Sequence, residues 1–179
     1  MNKLTYKIIK KTVNIILVAG VALSVLTGCG HKKDQKLEAY KEAMESFYEK
    51  LSYYDSSINS IDPNEEGAKD ELLGYLDEMK ESYKTMAAAE IPDEFSGIAD
   101  IAAEASDYMD QANSFYHQAY DGEFDEDSEA LASQYYERAN NRAFVMLQVL
   151  HGEVPSGEGV SVVTEDTYQF STISASTEE

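Results

Sequence analysis

The chain has 179 residues, with 34 acidic against 14 basic side chains and a formal net charge of −20. That balance repels nucleic acid and anionic headgroups and attracts cations and basic peptides. The length suits one domain with a real core, and a single cysteine excludes an internal disulfide, so stability must come from packing.

The first eleven residues carry Lys3, Lys7, Lys10 and Lys11 with no acid, and an apolar run from Val13 to Val25 follows, interrupted only by Asn14 and Ser24. This has the shape of a signal peptide, and the run is short of the roughly 20 apolar residues of a spanning helix. It ends in Leu26-Thr27-Gly28-Cys29, which resembles the lipobox of bacterial lipoproteins. The resemblance implies that residues 1–28 are a signal peptide, that the Cys29 thiol carries a thioether-linked diacyl lipid, and that the chain is cut just before it. Loss of the leader removes four lysines and no acid, leaving a formal charge of −24. Two acyl chains suffice for lasting attachment where one is marginal, so the expected location is the extracytoplasmic face of the cell membrane.

Residues 29–33 read as a polar tether and residues 34–151 as an all-α domain. Apolar residues at Leu37, Tyr40, Met44, Phe47, Leu51, Tyr54, Ile58 and Ile61 alternate steps of three and four, the seam of a long amphipathic helix. Asp62-Pro63-Asn64-Glu65 reads as a cap, a proline at the first helical position and an acid three residues after the cap, so a second helix is expected to start at once. Its seam is Leu72, Leu76, Met79, Tyr83 and Met86, and it stops before Ile91-Pro92. A third helix is expected from Pro92 with the seam Ile101, Ala105, Tyr108, Ala112, Phe115 and Ala119, ending at Gly122. A fourth starts between Asp125 and Ser128 and follows Ala132, Tyr136, Ala139, Ala143, Met146 and Leu150 to a stop at Gly152 and Pro155. Four rods of matched length, roughly 40 Å each, bury such seams best as an antiparallel up-down four-helix bundle, with small alanines facing large side chains. The recurrence of Leu37, Tyr40, Met44 and Tyr48 as Leu72, Tyr75, Met79 and Tyr83 is five heptads apart and follows from shared helical register. Residues 152–179 turn to Ser, Thr, Gly and Glu and read as a flexible, mostly disordered tail.

Few residues offer chemistry. His117 and Asp121 share a helical face, and Glu123 and Asp125 follow, a set that could hold a divalent cation through an imidazole and carboxylates. The acidic run fails as an EF-hand: counted from Asp125, the sixth position is Ala130 where glycine is needed and the twelfth is Tyr136 where a bidentate Glu is needed. There is no Glu-x-x-His for a di-iron bundle, no Cys-x-x-Cys-His for haem and no Gly-x-Ser-x-Gly for hydrolysis. No enzyme and no cofactor are expected. The 13 tyrosines without a tryptophan include the adjacent pairs Tyr53-Tyr54 and Tyr135-Tyr136, where about 100° of helix lets one ring join the core and its neighbour reach the edge. The expected function is a membrane-tethered, non-enzymatic bundle that binds a protein or cationic peptide partner in the cell envelope and no nucleic acid. The alternative is a small-ligand or divalent-cation binder using the acidic segment 121–129 or a tyrosine-lined groove.

Overall fold

The computed structural model describes residues 31–157 and 160, with side-chain surroundings from residue 35 on. The leader motif Leu26, Thr27, Gly28 and the expected lipid attachment point Cys29 lie outside the described residues. Four helices follow in order: α1 His31–Ser60, α2 Ala68–Ala87, α3 Ala99–Tyr120 and α4 Glu126–Leu150, with a 3-10 turn Asp93–Ile98 ahead of α3. No described helix is long and apolar enough to cross a membrane.

Consecutive helices pack side by side, and α3 with α4 forms the most extensive contact. The Tyr48 hydroxyl of α1 donates to the Ala143 carbonyl of α4 at 2.7 Å, bringing the first helix against the last. The result is the expected four-helix bundle. One core runs through it, from Tyr40, Met44, Phe47 and Leu51 on α1 to Leu72, Leu76, Met79 and Tyr83 on α2. It is completed by Ala105, Met109 and Ala112 on α3 and by Tyr136, Ala139 and Met146 on α4. The alanines let α3 and α4 approach closely while the large side chains of α1 and α2 fill the opposite half. Of the tyrosine pairs, Tyr54 and Tyr136 are buried, Tyr53 is exposed and Tyr135 is half-buried.

Three boundaries depart from the sequence expectation, each for a local reason. α1 begins at His31, so most of the expected 29–33 tether is helical backbone. Asp62-Pro63-Asn64-Glu65 forms a turn instead of a helix start: Glu65 N–H reaches the Asp62 carbonyl at 3.1 Å, and the Asp62 carboxylate accepts from the Asn64 backbone and side chain at 2.9 and 2.8 Å. Gly67, with φ of 89°, then redirects the chain into α2, a conformation that only glycine adopts without strain. Pro92 leads into the 3-10 turn and not directly into α3. The rods are therefore unequal, 30 residues in α1 against 20 in α2.

The face of α3 is also rotated by one column. Ala105, Ala112 and Ala119 are buried as expected, but their core partners are Ala102, Met109 and Tyr116. Ile101, Tyr108 and Phe115 are only half-buried and sit at the flank facing α4.

Candidate functional site

The His117 candidate resolves into a polar clasp between α2 and α3. One turn of α3 separates His117 from Asp121, and the Nδ1 to Oδ2 distance is 3.0 Å. The other ring nitrogen, Nε2, lies 3.2 Å from Oδ1 of Asp77 on α2. Asn113, buried one turn earlier, donates through Nδ2 to the same Asp77 oxygen at 2.9 Å and accepts from Lys80 Nζ at 3.1 Å. A notch of about 540 Å³, open to solvent, lies over these groups, with Asp110 at its rim.

Burial pulls the His117 pKa down, but the hydrogen bonds to Asp121 and Asp77 and their charges outweigh it, so the imidazole is held above its ordinary value. Burial likewise pushes Asp77 up, and the Asn113 and His117 hydrogen bonds more than offset it, leaving that carboxyl below its usual range. Both ring nitrogens already face carboxylate oxygens within the protein. The other two candidate ligands do not join the clasp. Asp125 caps α4, accepting from the Asp127 N–H at 3.1 Å and the Ser128 hydroxyl at 2.6 Å, and Glu123 is an exposed loop residue. Among the described residues no three His, Cys, Asp or Glu side chains gather as a metal site. The clasp ties two helices together.

A second arrangement lies on the outer flank of the α3–α4 pair, where the displaced column of α3 meets one stripe of α4. The Phe115 and Tyr135 rings stack with centroids 5.6 Å apart and planes 4° from parallel, and Tyr108 lies 6.2 Å from Tyr135. Over these rings sit Arg138 and Arg142, the only arginines in the chain. The Arg138 guanidinium is 5.4 Å from the Tyr135 centroid and 5.9 Å from that of Tyr108, and Arg142 is 6.0 Å from Tyr108. Arg142 donates from Nε to Glu104 Oε2 at 2.6 Å. Arg138 is exposed and has no carboxylate partner among the described residues, although acids outnumber basic residues more than two to one. Leu131, 40 % exposed, extends the stripe one turn further.

Tyrosine and arginine held in this way have their rotamer freedom already reduced, and they are the residue types that most often dominate protein interfaces. Nothing in the strip resembles an acid–base or nucleophilic set. A second aromatic group, Tyr53, Tyr54 and Tyr75 on α1 and α2, has ring contacts of 5.5 to 6.5 Å but no cation over it among the described residues.

Sequence reasoning missed Asp77, because its pairing with His117 joins two helices across 40 residues. It also passed over Arg138 and Arg142, for which a signal existed: both arginines of the chain stand four residues apart on one helical face, just after Tyr135. Compared with known proteins, the chain matches no family model, no curated protein and no solved structure.

Proposed function

We propose that the protein is a lipoprotein held by Cys29 on the extracytoplasmic face of the cell membrane, where its helical bundle binds a protein or peptide partner of the envelope without catalysing a reaction. The observation that carries the binding part is the α3–α4 strip: three partly buried aromatic rings packed on the edge of the core, with both arginines over them on one accessible flank. The anchoring part is supported by the lysine-rich start, the apolar run and Leu26-Thr27-Gly28-Cys29. The alternative, a cation or small ligand at the acidic loop, has less behind it, since the Asp125 carboxylate is committed to its helix cap and His117 to two carboxylates.

Crosslinking and pull-down from intact envelopes test the proposal. The native chain is compared with a Tyr135→Ala, Arg138→Glu double variant whose helical content and membrane fractionation are first shown to be unchanged. A specific adduct present with the native chain and lost with the variant is expected; equal recovery from both contradicts it.

A further inference from the structure

The described chain does not leave the bundle where α4 ends. Gly152 takes a φ of 73°, and the backbone turns back on the helix it has just left. Glu153 N–H reaches the Gln148 carbonyl at 2.9 Å, and Ser156 N–H reaches the Gln148 side-chain oxygen at 3.1 Å. Gly157 then comes to lie beside Val145, so closely that a Cβ on it would be 3.4 Å from a Val145 methyl. Val160 follows, its N–H 3.2 Å from the Gly157 carbonyl. Val145 is 1 % exposed yet stands outside the bundle core, and the returning chain is packed against it.

This return has a direction. Gln148 is reached at residues 153 and 156 and Val145 at residue 157, so the chain runs antiparallel to α4. Val145 is three residues from Arg142 and seven from Arg138, the spacing of one helical stripe. The strip of aromatic rings and arginines is the surface that lies ahead.

We propose that residues 161–179 of this chain occupy the α3–α4 strip, setting carboxylates against Arg138 and Arg142 and an aromatic ring against Tyr108 and Tyr135. Three arguments favour this occupant. The segment holds Glu165, Asp166, Glu178, Glu179, Tyr168 and Phe170 and no basic residue, which complements the one cationic, aromatic flank. Its 19 residues span up to about 60 Å when extended, more than the roughly 38 Å of α4. Finally, a free acidic peptide must approach a body of net charge −20, whereas a tethered one is already present at an effective concentration on the order of millimolar. The inference rests on reading the strip as a peptide-recognition surface. It adds that an external partner displaces the chain's own acidic segment.

The test uses the full chain anchored in lipid nanodiscs, its Cys29 thiol blocked by the proposed lipid, so that Ser171→Cys bears the single nitroxide label. Amide signals of α3 and α4 around Tyr108 and Tyr135 are expected to lose intensity selectively, with those around Tyr53 and Tyr75 unaffected. Adding Arg138→Glu or raising the salt is expected to restore the lost signals. No loss at the strip, equal loss at both aromatic groups, or loss indifferent to Arg138→Glu overturns the inference. A chain ended after Val160 separates this from the proposed function. Greater partner capture by the shortened chain is expected, and capture equal to that of the full chain overturns the inference while leaving partner binding intact. Selective label effects with no partner captured by either chain leave the inference standing and remove the function.

Discussion

The Tyr83 hydroxyl on α2 donates to Oδ1 of Asn140 on α4 at 2.8 Å, joining two helices that are not neighbours in the chain through the middle of the bundle. Tyr83 is fully buried, and burial drives its pKa well up, so it remains a neutral donor at any physiological pH. Tyr83→Phe is expected to cost about 1–2 kcal/mol, because Asn140 is left buried without its donor. Tyr40 gives the opposite expectation: its hydroxyl is buried with no partner, and burial alone raises its pKa to about 12. Tyr40→Phe should be neutral or stabilising by up to about 1 kcal/mol. Denaturant melts of the two variants check both signs, and equal losses would contradict the assignment.

His117 predicts a pH dependence. Its pKa is raised in the folded state above 6.5, so the stabilisation from the Asp77 and Asp121 pairing is full below about pH 6.5 and fades as pH rises through the folded value. Asp77 has a lowered pKa and contributes in the other direction: its share is present above the ordinary carboxylate range and fades only in acid. The other charged side chains lining the notch beside the ring are Lys80 and Asp110. His117→Asn should flatten the slope of melting temperature against pH between 6 and 8. An unchanged slope would show that the clasp does not titrate as described.

Asp125 predicts a cap and not a ligand. Asp125→Ala should lower stability by about 1 kcal/mol through loss of the α4 cap, and by the same amount with or without millimolar calcium or zinc. A cation that stabilises the native chain but not the variant, seen as a shift in melt and a saturable heat, would restore the metal reading of the 121–129 segment.

Most of the fold was legible because α1, α2 and α4 bury residues spaced along the expected helical seams. Leu72, Leu76, Met79, Tyr83 and Met86 are all buried as their spacing requires. α3 was harder, since Ile101, Tyr108 and Phe115 stand immediately beside Ala102, Met109 and Tyr116 and either column satisfies a helical period. The core takes the second column, Ala102, Met109 and Tyr116, and the first lies half-buried at the flank. That flank is the candidate site. The start of α2 was misread because a proline at the second position of a turn and a proline at the first position of a helix share the same local pattern, and only Gly67 separates them. The return of residues 153–157 onto Gln148 and Val145 left no trace in composition, since it depends on a glutamine side chain capturing a backbone three-dimensionally.

The proposed anchor predicts processing. With Cys29→Ser the chain should accumulate as uncleaved precursor or be shed, since the apolar run is short and the proposal assigns the lipid to Cys29, the one cysteine of the sequence. Membrane fractionation with intact-mass measurement checks this: a processed, lipid-free chain that still pellets with membranes would refute lipid anchoring.

Substitution of Arg138 separates recognition from stability. Arg138→Ala removes an exposed side chain and its contacts with Tyr108 and Tyr135, so its effect on folding should stay within about 0.5–1 kcal/mol, whereas partner capture should fall sharply. The most direct measurement of the central claim is site-specific photocrosslinking in intact cells, with a photoreactive phenylalanine analogue in place of Phe115 on the α3–α4 strip and, separately, in place of Tyr53 on the aromatic group that lacks a cation. The account predicts a discrete, Arg138-dependent protein adduct from position 115 and none from position 53; adducts from position 53 alone, equally from both, or from neither would contradict it.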